Sequence, residues 1–298
     1  MDFNLVDLAI TVRAADVLQL SLSLPLLGNT FAVACRENCC LCPETVCDSC
    51  YRQEACAWNH VFGQHLSSDP SALKRFQKPS LPFMFTFPSR HDLAEKSTEI
   101  ECKLVVIGWA IQYLDMLLEG FGDILLLLDA EVLLVGTRDY QGIIHPLGDG
   151  CGVKYPENLA VLSSHDLLEN RIWTDTTLHI RLLSPLRLFE DGRLFRTFDF
   201  NRFAMSLLRR VSSLAYYYGA NEYALDYKEL AREAAAIICT DDHFKLAAGK
   251  DRRVAGLMGY GRFQGDFSGL LPFLSAGLYV HVGKGSAFGM GAYEIPES

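Results

Sequence analysis

The pattern of apolar and polar positions splits the chain into short strand-like runs and one long helical period. Residues 17–26 are apolar and lead through a turn at Gly28 into LGNTFAVAC, which opens a helix. Residues 81–88, LPFMFTFP, read as a short aromatic strand bounded by prolines. Residues 102–108 read as a strand and 109–118 as a helix; residues 124–135 and 140–145 read as two strands around a turn at Gly136. A stretch rich in Gly, Pro and Ser follows at 148–164 and predicts a domain boundary. Beyond it, 176–183 is a predicted strand. Residues 201–218 carry Phe203, Leu207, Leu208, Val211, Leu214 and Ala215 at helical spacing. Residues 253–263 read as a strand, 269–275 as a short helix and 278–282 as another strand. The same mixed plan thus occurs twice. The predicted fold is α+β: two tandem ferredoxin-like (RRM-like) domains, at 1–165 and 166–298, with a cysteine-rich loop (35–56) inserted in the first.

Composition narrows the class. With hydrophobic residues at 50% and charged residues at 21%, the chain is expected to build a packed core. The net charge of -9 is not that of a protein coated in base for nucleic acid. The charge is uneven, however. From Arg181 onward there are 15 Lys+Arg against 13 Asp+Glu, which leaves 12 against 23 before it. The better place for a polyanion is therefore the C-terminal part. The first residues, MDFNLVDLAI, carry acid where a secretory signal carries base. Asp115, Asp129 and Glu131 interrupt the longest apolar runs. The expectation is a cytoplasmic protein with no membrane partner.

Seven of the ten cysteines lie between Cys35 and Cys56. In a chain that is not exported, metal or free thiols are favoured over disulfides. Cys39-x2-Cys42 and Cys47-x2-Cys50 offer four thiolates, enough for a tetrahedral structural zinc, and four cysteines also serve an iron–sulfur cluster. Free thiols are the plain alternative.

The most informative segment is HVGKGSAFGMGAYEI, residues 281–295. Gly283, Gly285, Gly289 and Gly291 allow positive φ and close backbone approach, Lys284 adds charge and Ser286 a donor, a combination suited to a phosphate backbone. The segment lacks the spacing of the nucleotide-binding P-loop, and AFGMGAYEI reads as a strand. It resembles the C-terminal glycine-rich signature of the CRISPR-associated endoribonucleases that process precursor CRISPR RNA, within the RAMP superfamily. LPLLGNTF (24–31), LHIRLLSPLRLFEDGRL (178–194), FDFNRFAMSLLRRVSSLAYYYG (198–219) and GLMGYGRFQGDF (256–267) resemble further pieces of that family in the same order. The similarity is close over 178–295 and loose before it.

The resemblance implies repeat-RNA binding and a metal-independent cut. The RNA's 2′-OH attacks the adjacent phosphate, leaving a 2′,3′-cyclic phosphate and a 5′-OH, helped by a general base, a general acid and a cation. The implied catalytic candidates are His281, His243 and His60. The implied RNA contacts are Lys284, Ser286, Gly283, Gly285, Gly289, Arg209, Arg210, Arg252, Arg253 and Arg262. CRISPR RNA is the implied partner, with other CRISPR effector subunits beside it. One departure stands out: family members commonly carry an arginine after the N-terminal glycine and a histidine on the first helix, whereas here no histidine precedes His60. Either the catalytic group has moved, or the chain is a non-catalytic subunit that grips the RNA.

Overall fold

The computed structural model describes residues 3–70, 78–88, 97–149, 159–164, 167, 176–219, 225–247 and 253–296. The described residues form two compact units. One takes Asn4–Phe83 and Phe87–Leu162; the other takes Ser163–Ser298 together with Met84–Thr86 and Phe3.

In the first unit β1 (Asn4–Ala14) is the central strand. Leu5, Val6, Leu8, Ile10 and Val12 are fully buried, so both of its faces lie in the core. The helices α1 (Val17–Ser23), α2 (Gly28–Cys39) and α3 (Ala57–Phe62) follow. The carboxylate of Asp16 caps α1 by accepting from Gln19 N at 2.9 Å. Next come β2 (Phe83–Thr86), whose last three residues group with the second unit, then β3 (Glu99–Ile107), α4 (Leu114–Leu126), β4 (Ala130–Arg138), β5 (Ile144–Asp149) and β6 (Val161–Ser163). The sheet order is β2-β3-β1-β4-β5, with β6 on β1. Leu5 stands opposite Ile107 on β3, and Asp7 opposite Arg138 on β4, both antiparallel.

The second unit repeats this arrangement. Its described elements are β7 (Thr177–Leu186), β8 (Phe189–Glu190), β9 (Arg193–Leu194), α5 (Phe200–Tyr218), α6 (Tyr227–Ala236), β10 (Ile238–Asp242), β11 (Lys245–Ala247), β12 (Gly256–Gln264), α7 (Leu271–Val280) and β13 (Tyr293–Glu294). The order β10-β12-β7-β13, with β11 on β12, again puts the first strand between the third and the fourth. This is the ferredoxin-like plan in both halves. Asp199 caps α5 by accepting from Arg202 N at 2.9 Å. The predicted apolar stripe of α5 is buried, with Phe200 5.1 Å from Phe263 and Phe203 5.1 Å from Tyr293 between ring centroids. On β7, buried Leu178, Ile180 and Leu182 alternate with His179 and Arg181, so one sheet face packs and the other stays open.

Three local expectations change. The apolar run at 124–135 is not one strand: residues 124–126 finish α4 and the strand begins at Ala130. Gly136 makes no turn. It lies inside β4, where an added Cβ would stand 2.6 Å from Ile144 Cγ2 and 3.0 Å from His145 O, so β5 crosses too closely for a side chain. Residues 278–280 remain helical, and the tail after them is a series of turns in which only Tyr293–Glu294 pairs as strand.

Candidate nucleic-acid interface

The glycine-rich tail is stitched to the end of β7. His281 caps α7 with φ 57°, an unusual value for a residue with a side chain, and turns the chain. Val282 N donates to Gly291 O at 3.1 Å, and Gly291 N to Pro185 O at 3.1 Å. Leu183 N donates to Ala292 O at 2.9 Å, and Lys284 N to Arg187 O at 2.9 Å. Gly283, Gly285, Gly289 and Gly291 all have positive φ. The Lys284 N–H is spent on Arg187, and those of Phe288 and Met290 on Gly285 O. The loop is therefore not a continuous nest of free amides, and its outward-facing chemistry lies in side chains.

Those side chains converge. Lys284 is exposed, and its Nζ lies 5.3 Å from the centroid of the Phe189 ring. Arg187 Cζ lies over the same ring at 5.5 Å. Phe189 itself is 40% exposed, which leaves a cationic and aromatic surface of the kind that holds single-stranded nucleic acid. Arg193 and Arg196 are exposed nearby in sequence. Arg202 covers the Phe195 ring at 4.1 Å and is paired with Glu190 at 2.7 Å. Arg187 and Phe189 carried no motif of their own. Backbone bonds between the end of β7 and the tail, among them that from Lys284 to Arg187, bring them to the loop.

The other predicted residues fall into three groups. His281 is buried; its Nε2 lies 3.0 Å from Thr86 Oγ1 and its Nδ1 3.3 Å from Ser286 O. Ser286 is also buried and donates from Oγ to Gly283 O at 3.0 Å. Together with the Phe85 N–Ala287 O bond of 3.0 Å, these contacts shape the loop from inside. Arg210 has the same internal character: its Nε donates to Val280 O at 2.7 Å, tying α5 to the end of α7, and desolvation lowers its pKa to about 10. Arg209 lies exposed on α5.

The second group is on the open sheet face. His243 is exposed, with Nε2 2.9 Å from Asp241 Oδ1 and its ring tilted over Tyr260 at 4.6 Å. Arg262 is exposed on β12, opposite Asp241 of β10 and His179 of β7. Arg253 is exposed before β12; Arg252 lies outside the described residues. The third group is His60 alone, in the first unit. It sits on α3, with Nε2 2.8 Å from Glu54 O and its ring stacked on Tyr113 at 5.7 Å. A cavity of about 390 Å³ in that unit is lined by Asn38, Glu119, Asp123 and Glu131, and that acid repels a polyanion.

Residues 180–293 match the family model described as CRISPR-associated endoribonuclease Cas6. This part of the chain is similar to the Cas6 family. The match runs from β7 to β13 and includes the loop with Lys284. Residues 3–125 match a second model, described as an N-terminal domain. The fold is similar to that of a Thermus thermophilus Cas6, with a TM-score of 0.55 at 14% identity over 99% of both chains. It is similar to a Cas6 product complex, with a TM-score of 0.56 at 15% identity over 99% of this chain and 100% of that one. A chain of a partial Cas6-RT-Cas1–Cas2 complex matches with a TM-score of 0.59 at 12% identity, over 99% of this chain and 46% of that one. At such identities the likeness is one of fold. No curated protein matches the sequence. Among the described residues no single helix is long and apolar enough to cross a membrane.

The cysteines expected to hold metal, Cys39, Cys42, Cys47 and Cys50, are all half-buried and unbridged, with Cys39 ending α2. Among the described residues no three or more His, Cys, Asp or Glu side chains already surround a common point as metal ligands.

Proposed function

We propose that the chain binds the repeat of a precursor CRISPR RNA and cuts it without a metal ion. The observation that carries this reading is the Cas6 match over residues 180–293, which ends on the loop presenting Lys284 beside Arg187 and Phe189. In this reading the two cations hold phosphates and Phe189 stacks on a base. The 2′-oxygen attacks phosphorus and the 5′-oxygen leaves, giving a 2′,3′-cyclic phosphate and a 5′-OH. His243 is the histidine assigned to proton transfer, because its ring is exposed and Asp241 fixes its orientation at 2.9 Å. His281 keeps both ring nitrogens, and His60 its Nε2, on protein partners. His281 positions the loop. The likeness to a Cas6 product complex and to a Cas6-RT-Cas1–Cas2 complex supports CRISPR RNA and other CRISPR proteins as partners, and in this reading the chain acts in the cytoplasm.

One observation favours a second reading, that of a subunit which grips CRISPR RNA and does not cut: α2, the first long helix, carries no histidine. Incubation of the purified chain with its host's repeat RNA in EDTA separates the two. A single cut leaving a 2′,3′-cyclic phosphate supports processing. Tight binding with intact RNA supports the gripping subunit, and absence of binding defeats both.

A further inference from the structure

The segment between α2 and α3 has no core of its own. None of residues 40–56 is buried. Its large apolar side chains point to solvent: Leu41 is 72% exposed, Val46 71% and Tyr51 85%. The residues turned inward are Cys40, Cys42, Thr45, Cys47, Cys50, Gln53 and Cys56. All five of these cysteines line one small cavity of about 20 Å³, together with Arg36, Thr45, Trp58 and Asn59. That volume holds roughly one atom-sized occupant. A stretch of this length with no apolar burial cannot offset its own ordering entropy, and small coreless segments are held by disulfides or by metal.

The chemistry of the lining selects between them. The thiols are unbridged. No carboxylate or imidazole shares the cavity, so the only lining groups that can ligate as anions are the soft cysteine sulfurs. Two tight turns present them: Thr45 N donates to Cys42 O at 3.0 Å, and Cys50 N to Cys47 O at 3.2 Å. The guanidinium of Arg36 stands at the wall and donates to Thr45 O at 3.3 Å. A permanent cation there suits a cavity that is to hold negative charge.

We propose that this cavity is a structural metal site, in which four of the thiols of Cys40, Cys42, Cys47, Cys50 and Cys56 bind one zinc ion. Zn²⁺ displaces four thiol protons to solvent, and the resulting four-thiolate centre carries a net charge of about −2, which Arg36 offsets in part. Cys39 is outside the set: it does not line the cavity. The sequence spacing alone suggests Cys39 as a ligand, and the structure assigns the position to Cys40 or Cys56 instead. As they stand the thiols do not surround a common point, and closing them on an ion takes movement of side chains that pack against no core. The ion then folds the segment, since binding energy at such a site is folding energy. The site is independent of the reading given for RNA.

The test uses the full chain, purified in buffer free of chelator and assayed for zinc and iron by elemental mass spectrometry. One zinc per chain is expected, retained by Cys39→Ser and lost by Cys47→Ser and Cys50→Ser. In the unsubstituted chain, removal of zinc with a chelator is expected to speed hydrogen exchange across 40–56 and to leave β7 and α5 protected. This second readout stands even if the variants fail to fold. Absence of stoichiometric zinc overturns the proposal, as does iron with acid-labile sulfide, or an intact mass lower by two hydrogens for each bridge formed in this segment. Loss of zinc in Cys39→Ser overturns the ligand set.

Discussion

Two glycines of the tail, replaced by alanine, are expected to behave very differently. At Gly291 φ is +68°, and an added Cβ would meet Val282 O at 1.7 Å and Val282 C at 2.8 Å. Both neighbours are backbone, so nothing there can rotate away. Two bonds must then give: Val282 N to Gly291 O and Gly291 N to Pro185 O, both 3.1 Å. Each is worth about 1 kcal/mol net. A side chain in the left-handed region adds roughly 1 kcal/mol. Gly291→Ala should therefore cost the tail about 3 kcal/mol or more. At Gly285 φ is +86°, but the nearest atom is Met290 Cγ at 3.0 Å, on a flexible side chain. There the cost should stay near 1 kcal/mol, the conformational term alone. The difference of about 2 kcal/mol corresponds to roughly a 30-fold difference in local opening. Hydrogen exchange of the Val282 and Gly291 amides, read by mass spectrometry with residue-level fragmentation, measures that opening directly. Amides of β1 serve as the control. Equal exchange rates at Val282 in the two variants would refute the reasoning, because they would mean that the backbone collision had been relieved at no cost.

Lys284→Ala should leave stability unchanged, since the side chain is exposed, while the salt dependence of repeat-RNA affinity loses about one unit of slope; an unaltered slope removes Lys284 from the interface. Cys35 and Cys102 are buried, and desolvation raises both thiols, that of Cys102 to about 12. At pH 8 only about one Cys102 in ten thousand is thiolate, so neither residue should react with a disulfide reagent in the native chain, and rapid labelling of either would contradict the packing. Asp226 caps α6 by accepting from Lys228 N and Glu229 N at 3.0 Å, and these bonds hold its pKa below the ordinary carboxylate value. A depressed carboxylate stabilises above its unfolded pKa and ceases to do so as pH falls through the folded one. Protection factors at the start of α6 should thus drop below about pH 4, and Asp226→Asn should flatten that response.

The core was more legible in the sequence than the loop. The stripe from Phe203 to Ala215 shows its period directly, because only one face of α5 meets the sheet. The run at 124–135 did not divide itself, since the end of a buried helix and a buried strand are both continuously apolar. The tail misled for a different reason. Its alternation looks like a strand, but five positive φ values, one of them at His281, fold it back on itself. Lys284 was visible as a lone base among glycines. Arg187 and Phe189 were not, because their place beside it depends on pairing between distant parts of the chain. Arg210 looked like an RNA ligand by type and proved to be a strut, since no sequence pattern says which of two adjacent arginines faces inward.

Residues Met84–Thr86 belong by contact to the second unit, although more than seventy residues separate them from its main body at Ser163. They supply the Phe85–Ala287 bond and the Thr86–His281 bond that brace the loop. A fragment beginning at Ser163 would keep the whole segment matched to Cas6 and lose both braces. Dissection of the gene at the apparent boundary would yield a domain whose signature is intact and whose loop is unsupported. Its failure to bind RNA would reflect the missing splint and would say nothing against Lys284. Supplying residues 84–86 in trans, as a peptide, is the corresponding repair.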